Sequence, residues 1–178
     1  GRLREHWQLN ADIVGVPGIE ADAEIIAVAH AVMRSLGADE RNFEIRVSDR
    51  RIIDSICDSI EIPGDMRASV TRLLDAREKN ADFKKNLLAI IKDERKIDGL
   101  LEVIERTTST AYLEELRTHL EHMGVRNMVV DTKITRGFDY YTGMVFEGYD
   151  TDENNRRSIF GGGRYDDLLS LFGGEAIP

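Results

Sequence analysis

Cysteine is nearly absent from this sequence: Cys57 stands alone among 178 residues, and only three prolines interrupt the chain. A lone cysteine excludes an intrachain disulfide and a cysteine-built metal centre, and it makes a reducing compartment the simpler assumption. Cys57 itself reads as a small buried filler on a helix. Long apolar runs are missing too, so no segment has the roughly 18 or more apolar residues of a membrane span. Gly1 to Val16 lacks the basic, amphipathic character of a targeting peptide. The expectation is a soluble protein, cytoplasmic, with an organellar setting left open. Basic residues are the scarcer charge, 24 against 33 acidic, and the net charge of −9 argues against tight non-specific binding of nucleic acid, although a local basic patch could still touch it. What remains, 42% hydrophobic and 32% charged residues, suffices for one domain, or for one domain with an insertion.

The pattern of residues changes three times along the chain. Gly1 to Val16 alternates polar and apolar residues and predicts strand, in one or two passes, stopped by Pro17-Gly18. From Ile19 to Leu36 the apolar set Ile25, Ile26, Ala29, Val32, Met33 and Leu36 has helical spacing, with Glu20, Asp22 and Glu24 in the first turns and Gly37 past the end. His30 lies on or beside that stripe and reads as a satisfied core histidine. Phe43 to Val47 alternates as a short strand, and Ser48-Asp49 caps a helix through Cys57.

Between about Ile60 and Met123 only helical spacing is found, in four segments around Met66 to Leu74, Phe83 to Ile91, Ile97 to Ile104 and Thr110 to His122. His119 and His122 have i, i+3 spacing, but no carboxylate or cysteine set accompanies them, and a dedicated metal site is not expected. Basic residues from Lys79 to Lys96 read as a solvated face, or as a place to meet a large polyanion. Strand character returns at Met128-Val129-Val130 and Met144-Val145-Phe146, and Asp150 to Arg157 reads as a loop. The division expected is 1–59, a helical insertion over 60–123, and 124–178 completing an α/β domain.

Two segments are too polar and too rich in glycine for ordinary packing. Arg136 to Glu147 sets an arginine, a carboxylate, two phenols and two glycines into a strand-like run, the composition of a polar pocket wall. Gly161-Gly162-Gly163-Arg164-Tyr165-Asp166 stands between a strand and a helix bearing Leu168, Leu169, Leu171 and Phe172, ended by Gly173-Gly174. Glycines there suit either a tight turn or a ligand cradle, and the adjoining Arg164, able to pair with a carboxylate or phosphate, favours the cradle.

Arg136 to Glu147 resembles the histidine-specific signature of the histidyl-tRNA synthetases, and Gly162 to Asp166 is similar to that family's second histidine-specific motif. Gly1 to Asp12 resembles the distal half of motif 2 of the class II synthetases, with His6 and Trp7 departing slightly from the usual aromatic pattern. The helical block matches the family's insertion domain in placement, so the resemblance covers essentially the whole chain. It implies part of a class II antiparallel-sheet catalytic domain, L-histidine, ATP and tRNA(His) as substrates, Mg2+ arriving with ATP, and a homodimeric full-length parent. It also implies that Gln8, Asp12, Tyr140 and Tyr141 line the histidine pocket, with Asp12 accepting from the imidazole, and that Arg136 is the catalytic guanidinium. Weaker roles follow for Arg2, Arg4 and Glu5 near ATP and for Gly162, Gly163 and Arg164 at the pocket.

Blander roles stay open: Asp12 as a strand-end carboxylate, Arg136 in an ion pair with Asp139 or Glu147, and Glu5 in a cross-strand salt bridge. The family pattern also requires a dimer-forming motif 1, the proximal motif 2 arginine, motif 3 and an anticodon-binding domain, which this sequence does not contain. The expectation is an incomplete catalytic segment, inactive alone. The alternatives are a regulatory paralogue serving ATP phosphoribosyltransferase, a tRNA-sensing module, or a purely structural domain; the intact signature argues against each.

Overall fold

The computed structural model describes residues 5–75, 77, 80–132, 134, 141–152, 154–155 and 157–178. Helix α1 spans Ile19–Ser35, with Glu20 and Asp22 at its start and Arg34 in its last turn, the charge order that its dipole favours. Gly37, at a φ of +94°, turns the chain out of the helix, and Ala38 N–H then reaches the Met33 carbonyl at 3.1 Å. Strand β1, Phe43–Asp49, follows, and then five helices: α2 Arg51–Ser59, α3 Gly64–Asp75, α4 Phe83–Ile91, α5 Glu94–Arg106 and α6 Ala111–His122. Side chains start the last two: Asp93 accepts from the backbone N–H of Arg95 and Lys96, and Thr110 from that of Leu113.

Strands β2 (Met128–Val130), β3 (Met144–Asp150) and β4 (Ser158–Gly163) complete a mixed sheet in the order β2-β1-β3-β4. β1 runs parallel to β2, in the register Ile45 to Met128, and antiparallel to β3, in the register Phe43 to Asp150. A parallel pair needs a long crossover, and α2 to α6 provide it. Helix α6 and, beside it, α1 pack over one face of the sheet, and α2 to α5 pack against one another. Phe43, Ile45 and Val47 alternate into that face and join Ile26 of α1, Ile56 of α2, Leu100 of α5 and Leu116 of α6 in one continuous apolar cluster. Cys57 is buried in it, and burial pushes its thiol above the ordinary range. His30 is buried too, with its ring centroid 5.6 Å from that of Phe43 and Nε2 3.4 Å from a Glu40 carboxylate oxygen. A smaller cluster of Ile134, Tyr141 and Val145, with Tyr165 against it, forms separately.

Two expectations are corrected. Glu5 to Val14 forms no strand and is largely exposed, with Trp7 97% accessible. Alternation alone does not make a strand; a ladder partner is needed, and none of the described residues supplies one to this segment. Gly161-Gly162-Gly163 forms no turn between strand and helix but the end of β4, paired with Glu147, Phe146 and Val145. The glycines there exchange space with rings: a Cβ on Gly148 would lie 2.2 Å from the Phe160 ring, and one on Gly162 would lie 2.9 Å from the Phe146 ring. Beyond β4 the leucine-rich segment is a single 3-10 helix, Leu168–Phe172, ended by Gly173 at a φ of +83°. Among the described residues no helix is long and apolar enough to cross a membrane.

The Gly148–Phe160 exchange gives a direct test of the β3–β4 register. Gly148→Ala forces the Phe160 ring off its seat and lowers the unfolding free energy by about 1–3 kcal/mol, measured by urea denaturation. An exposed change such as Leu171→Ala stays within about 0.5 kcal/mol of the parent.

Candidate active site

The residues singled out by sequence fall into three groups in the structure. Arg2, Arg4, Arg136 and Tyr140 lie outside the described residues. Glu5 and Gln8 sit on the exposed N-terminal segment, where Gln8 Nε2 donates to Asn10 Oδ1 at 2.9 Å. Asp12, Tyr141, Gly162, Gly163 and Arg164 come together around the ends of β3 and β4.

Within that group, the Tyr165 hydroxyl donates to Asp12, joining positions 153 residues apart in sequence. The Tyr141 ring is buried against Val145, and a Cβ on Gly163 would lie 2.8 Å from that ring and 2.7 Å from the Met144 carbonyl oxygen. Gly163 is thus the position where β4 lets Tyr141 close down on the sheet. Gly15, at a φ of +82°, turns the incoming segment and donates its N–H to the Pro178 carbonyl at 2.7 Å.

Arg164 sits at the centre of the polar contacts. Its Nε donates to both oxygens of Asp22, at 2.9 and 3.2 Å; one terminal nitrogen reaches Asp166 Oδ1 at 3.2 Å and the Val16 carbonyl at 3.4 Å; the other reaches the Gly18 carbonyl at 2.8 Å. The side chains of Arg164 and Asp22 are only 11% and 6% accessible, so this pair is desolvated and owes its stability to the fit of its hydrogen bonds. Burial alone would lower the Arg164 pKa, but the hydrogen bonds to Asp22 and Asp166 lift it above the ordinary guanidinium value.

From this pair the network continues both ways. Tyr112, on the first turn of α6, donates its hydroxyl to Asp22 Oδ2, and the Arg51 guanidinium lies 4.2 Å above the Tyr112 ring while pairing with Asp49. On the other side Asp166 Oδ2 accepts from Thr142 Oγ1 at 2.7 Å, and the Thr142 N–H donates to the Arg164 carbonyl at 2.9 Å. Burial, followed by the bond to Asp22, drives the Tyr112 phenol well above its usual pKa.

A cavity of about 350 Å3 opens beside these groups, lined among others by Asp22, Arg51, Tyr112, Arg164 and Asp166. Asp12 and Tyr141 do not line it. Among the described residues no three His, Cys, Asp or Glu side chains converge as a metal site.

Sequence reasoning missed Asp22, Tyr112, Thr142 and Tyr165. Asp22 reads as a dipole-compensating acid, yet it stands three and four residues before Ile25 and Ile26, on the stripe that becomes buried. A carboxylate on an apolar stripe needs a buried partner, and that was the available signal. Tyr112 reads as an ordinary apolar-face residue because its ring packs as one and only its hydroxyl is diagnostic.

The raised Tyr112 pKa has a calculable sign. Below the ordinary phenol value near 10 its contribution is fully present; as pH rises through and beyond that value, the unfolded chain gains by ionising and stability is lost. The stability gap between the parent and Tyr112→Phe therefore narrows between pH 8 and pH 11 in chemical denaturation. A constant gap contradicts the buried bond.

The family model for histidyl-tRNA synthetase matches residues 1–178. Histidine–tRNA ligases of Haloarcula marismortui and Leptospira biflexa are 38% and 32% identical, over 100% and 99% of this chain but 45% and 44% of their own lengths. The chain thus spans a little under half the length of these curated relatives. Among solved structures, a Bacillus halodurans protein described as an ATP phosphoribosyltransferase regulatory subunit/histidyl-tRNA synthetase superposes with a TM-score of 0.73 at 22% identity, covering 93% of this chain and 48% of that one. Histidyl-tRNA synthetase from Nostoc gives 0.71 at 24% identity, covering 93% and 44%. At such identity the superpositions establish a shared fold, the catalytic-domain fold of class II synthetases. Matched by one family model from its first residue to its last, with both signature segments adjoining at β3 and β4, the chain belongs to the histidyl-tRNA synthetase family.

Proposed function

We propose that this chain carries the histidine-selective half of an active site that joins L-histidine to ATP, giving histidyl-adenylate and pyrophosphate, and then passes the histidyl group to tRNA(His). The observation that carries this reading is the hydrogen bond from Tyr165, in the second glycine-rich motif, to Asp12, at the end of the motif 2-like segment. A carboxylate held by a phenol beside a buried tyrosine ring suits an imidazole, which brings an N–H donor and a flat apolar ring. Selectivity follows from the cost of leaving such polar groups unanswered by a substrate of similar shape.

In the proposed reaction a carboxylate oxygen of histidine attacks the α-phosphorus of ATP, the bond to the β-phosphate oxygen breaks, and pyrophosphate leaves. Arg136 stabilises the negative charge gathering on the α-phosphate. Gln8, Tyr140 and Tyr141 complete the amino-acid pocket, and Asp12 accepts from the imidazole. Arg2, Arg4 and Glu5 approach the nucleotide, and Mg2+ accompanies ATP. The working protein is a homodimer in the cytoplasm, and the 60–123 helices form its insertion domain.

A non-catalytic role beside ATP phosphoribosyltransferase is the second reading, prompted by the description of the Bacillus halodurans structure. The uninterrupted run Arg136-Gly137-Phe138-Asp139-Tyr140-Tyr141 favours catalysis, because a regulatory role has no need of the charge and phenols of that signature.

The test is histidine-dependent ATP–pyrophosphate exchange by the full-length protein. Arg136→Ala lowers kcat by about 100-fold or more, the size of a lost transition-state donor, with histidine affinity little changed. A raised histidine KM at intact kcat reassigns Arg136 to substrate binding, and no exchange by the parent refutes the synthetase reading.

A further inference from the structure

Thr142 belongs to the first histidine-specific segment, directly after Tyr141, yet its side chain faces the second segment: Oγ1 donates to Asp166 Oδ2 at 2.7 Å and accepts the Asp166 N–H at 3.0 Å. Asp166 places its other oxygen on Arg164, Arg164 holds Asp22, and Asp22 takes the hydroxyl of Tyr112. Four hydrogen-bonded links therefore lead from the first turn of α6 to the residue beside Tyr141. They span four elements of very different sequence position: α6, α1, the end of β4 and the start of β3.

Each link is of the kind that fixes position. Arg164 and Asp22 are almost wholly buried, and the guanidinium is occupied by Asp22, Asp166 and the Gly18 carbonyl, which leaves it bound to protein rather than open to an incoming anion. Arg51, seated on the Tyr112 ring and held by Asp49, fixes that ring over the start of α2. The Arg50 N–H donates to the Gly143 carbonyl at 3.1 Å, bringing α2 to the same segment by a second route.

We propose that Asp22 and Tyr112 are positioning residues for histidine activation: through Arg164 and Asp166 they hold Thr142, and with it the Tyr141 wall of the amino-acid pocket, in register with helix α6. The consequence is directional: a displacement of α6, the last helix of the helical crossover, reaches the histidine wall through this chain of hydrogen bonds. The functional part of the inference rests on the proposed histidine activation; the mechanical part does not.

The experiment compares the parent with Tyr112→Phe and Asp22→Asn, both in the full-length protein. Hydrogen–deuterium exchange reads the coupling without any activity: peptides covering 141–147 and 163–166 exchange about tenfold faster in either variant, as expected from losing one buried bond of ordinary net strength, while α3 and α4 keep the parent's rates. In pyrophosphate exchange, histidine KM rises about fivefold or more and ATP KM stays within about twofold, a split that general destabilisation does not produce. Tyr112→Phe removes a single oxygen and keeps the ring under Arg51, so it remains informative if Asp22→Asn fails to fold. Unchanged exchange at 141–147 in Tyr112→Phe overturns the inference, as does faster exchange spread evenly over all elements, or equal rises in both KM values. If the parent shows no histidine-dependent turnover, the functional reading falls while the exchange data still decide whether the coupling exists.

Discussion

The ion pair between Asp22 and Arg164 is the constraint around which the site is built. Two charges this deeply withdrawn from water cost several kcal/mol each to bury, and the pair recovers that cost only through well-made hydrogen bonds. Replacement by a matched apolar pair would be expected to stabilise such a location as well or better, so the bond is better understood as a fixed point than as a source of stability. It locks the N-terminal turn of α1 to the end of β4. Both Tyr112 and Asp166 attach to it, and through Asp166 it reaches Thr142 of the first histidine-specific segment.

Around this fixed point the sheet and helices divide the work. The five helices between β1 and β2 are the crossover demanded by a parallel pair, and they share one continuous apolar cluster with a face of the sheet. The smaller cluster of Ile134, Tyr141 and Val145 forms apart from it and carries the aromatic wall of the proposed pocket. The glycines of β3 and β4 belong to this arrangement. They give space to Phe160, Phe146 and Tyr141, so the glycine-rich character that marks these motifs in sequence is here a packing device between neighbouring strands.

Much of the fold was legible because it rests on local periodicity. The spacing of Ile25, Ile26 and Ala29, the helical run from Thr110 to His122 and the alternation of Phe43 to Val47 all point to the elements found there. Two features were not legible. Glu5 to Val14 has strand alternation without a strand, since pairing depends on a partner that local pattern cannot supply. The glycine run entered β4 because its neighbours across the ladder, Phe146 and Val145, determine whether three glycines turn or extend. For the site, the motif residues were found by resemblance, and the contact between Asp12 and Tyr165 brings two of those segments together. What escaped was the support beneath them. Asp22 looked like a helix-dipole acid and Tyr112 like core, because the identity of a buried partner 90 or 142 positions away is not encoded locally.

If Asp22 and Arg164 form the fixed point, their energies must be strongly interdependent. A double-mutant cycle with Asp22→Asn and Arg164→Gln, read as unfolding free energy at neutral pH, measures that directly. The account predicts that the double variant is more stable than the sum of the single losses implies, by about 1–3 kcal/mol, because each single change leaves the other charge buried and poorly answered. Losses that add to within about 0.5 kcal/mol would contradict it and reduce the pair to two independent contacts.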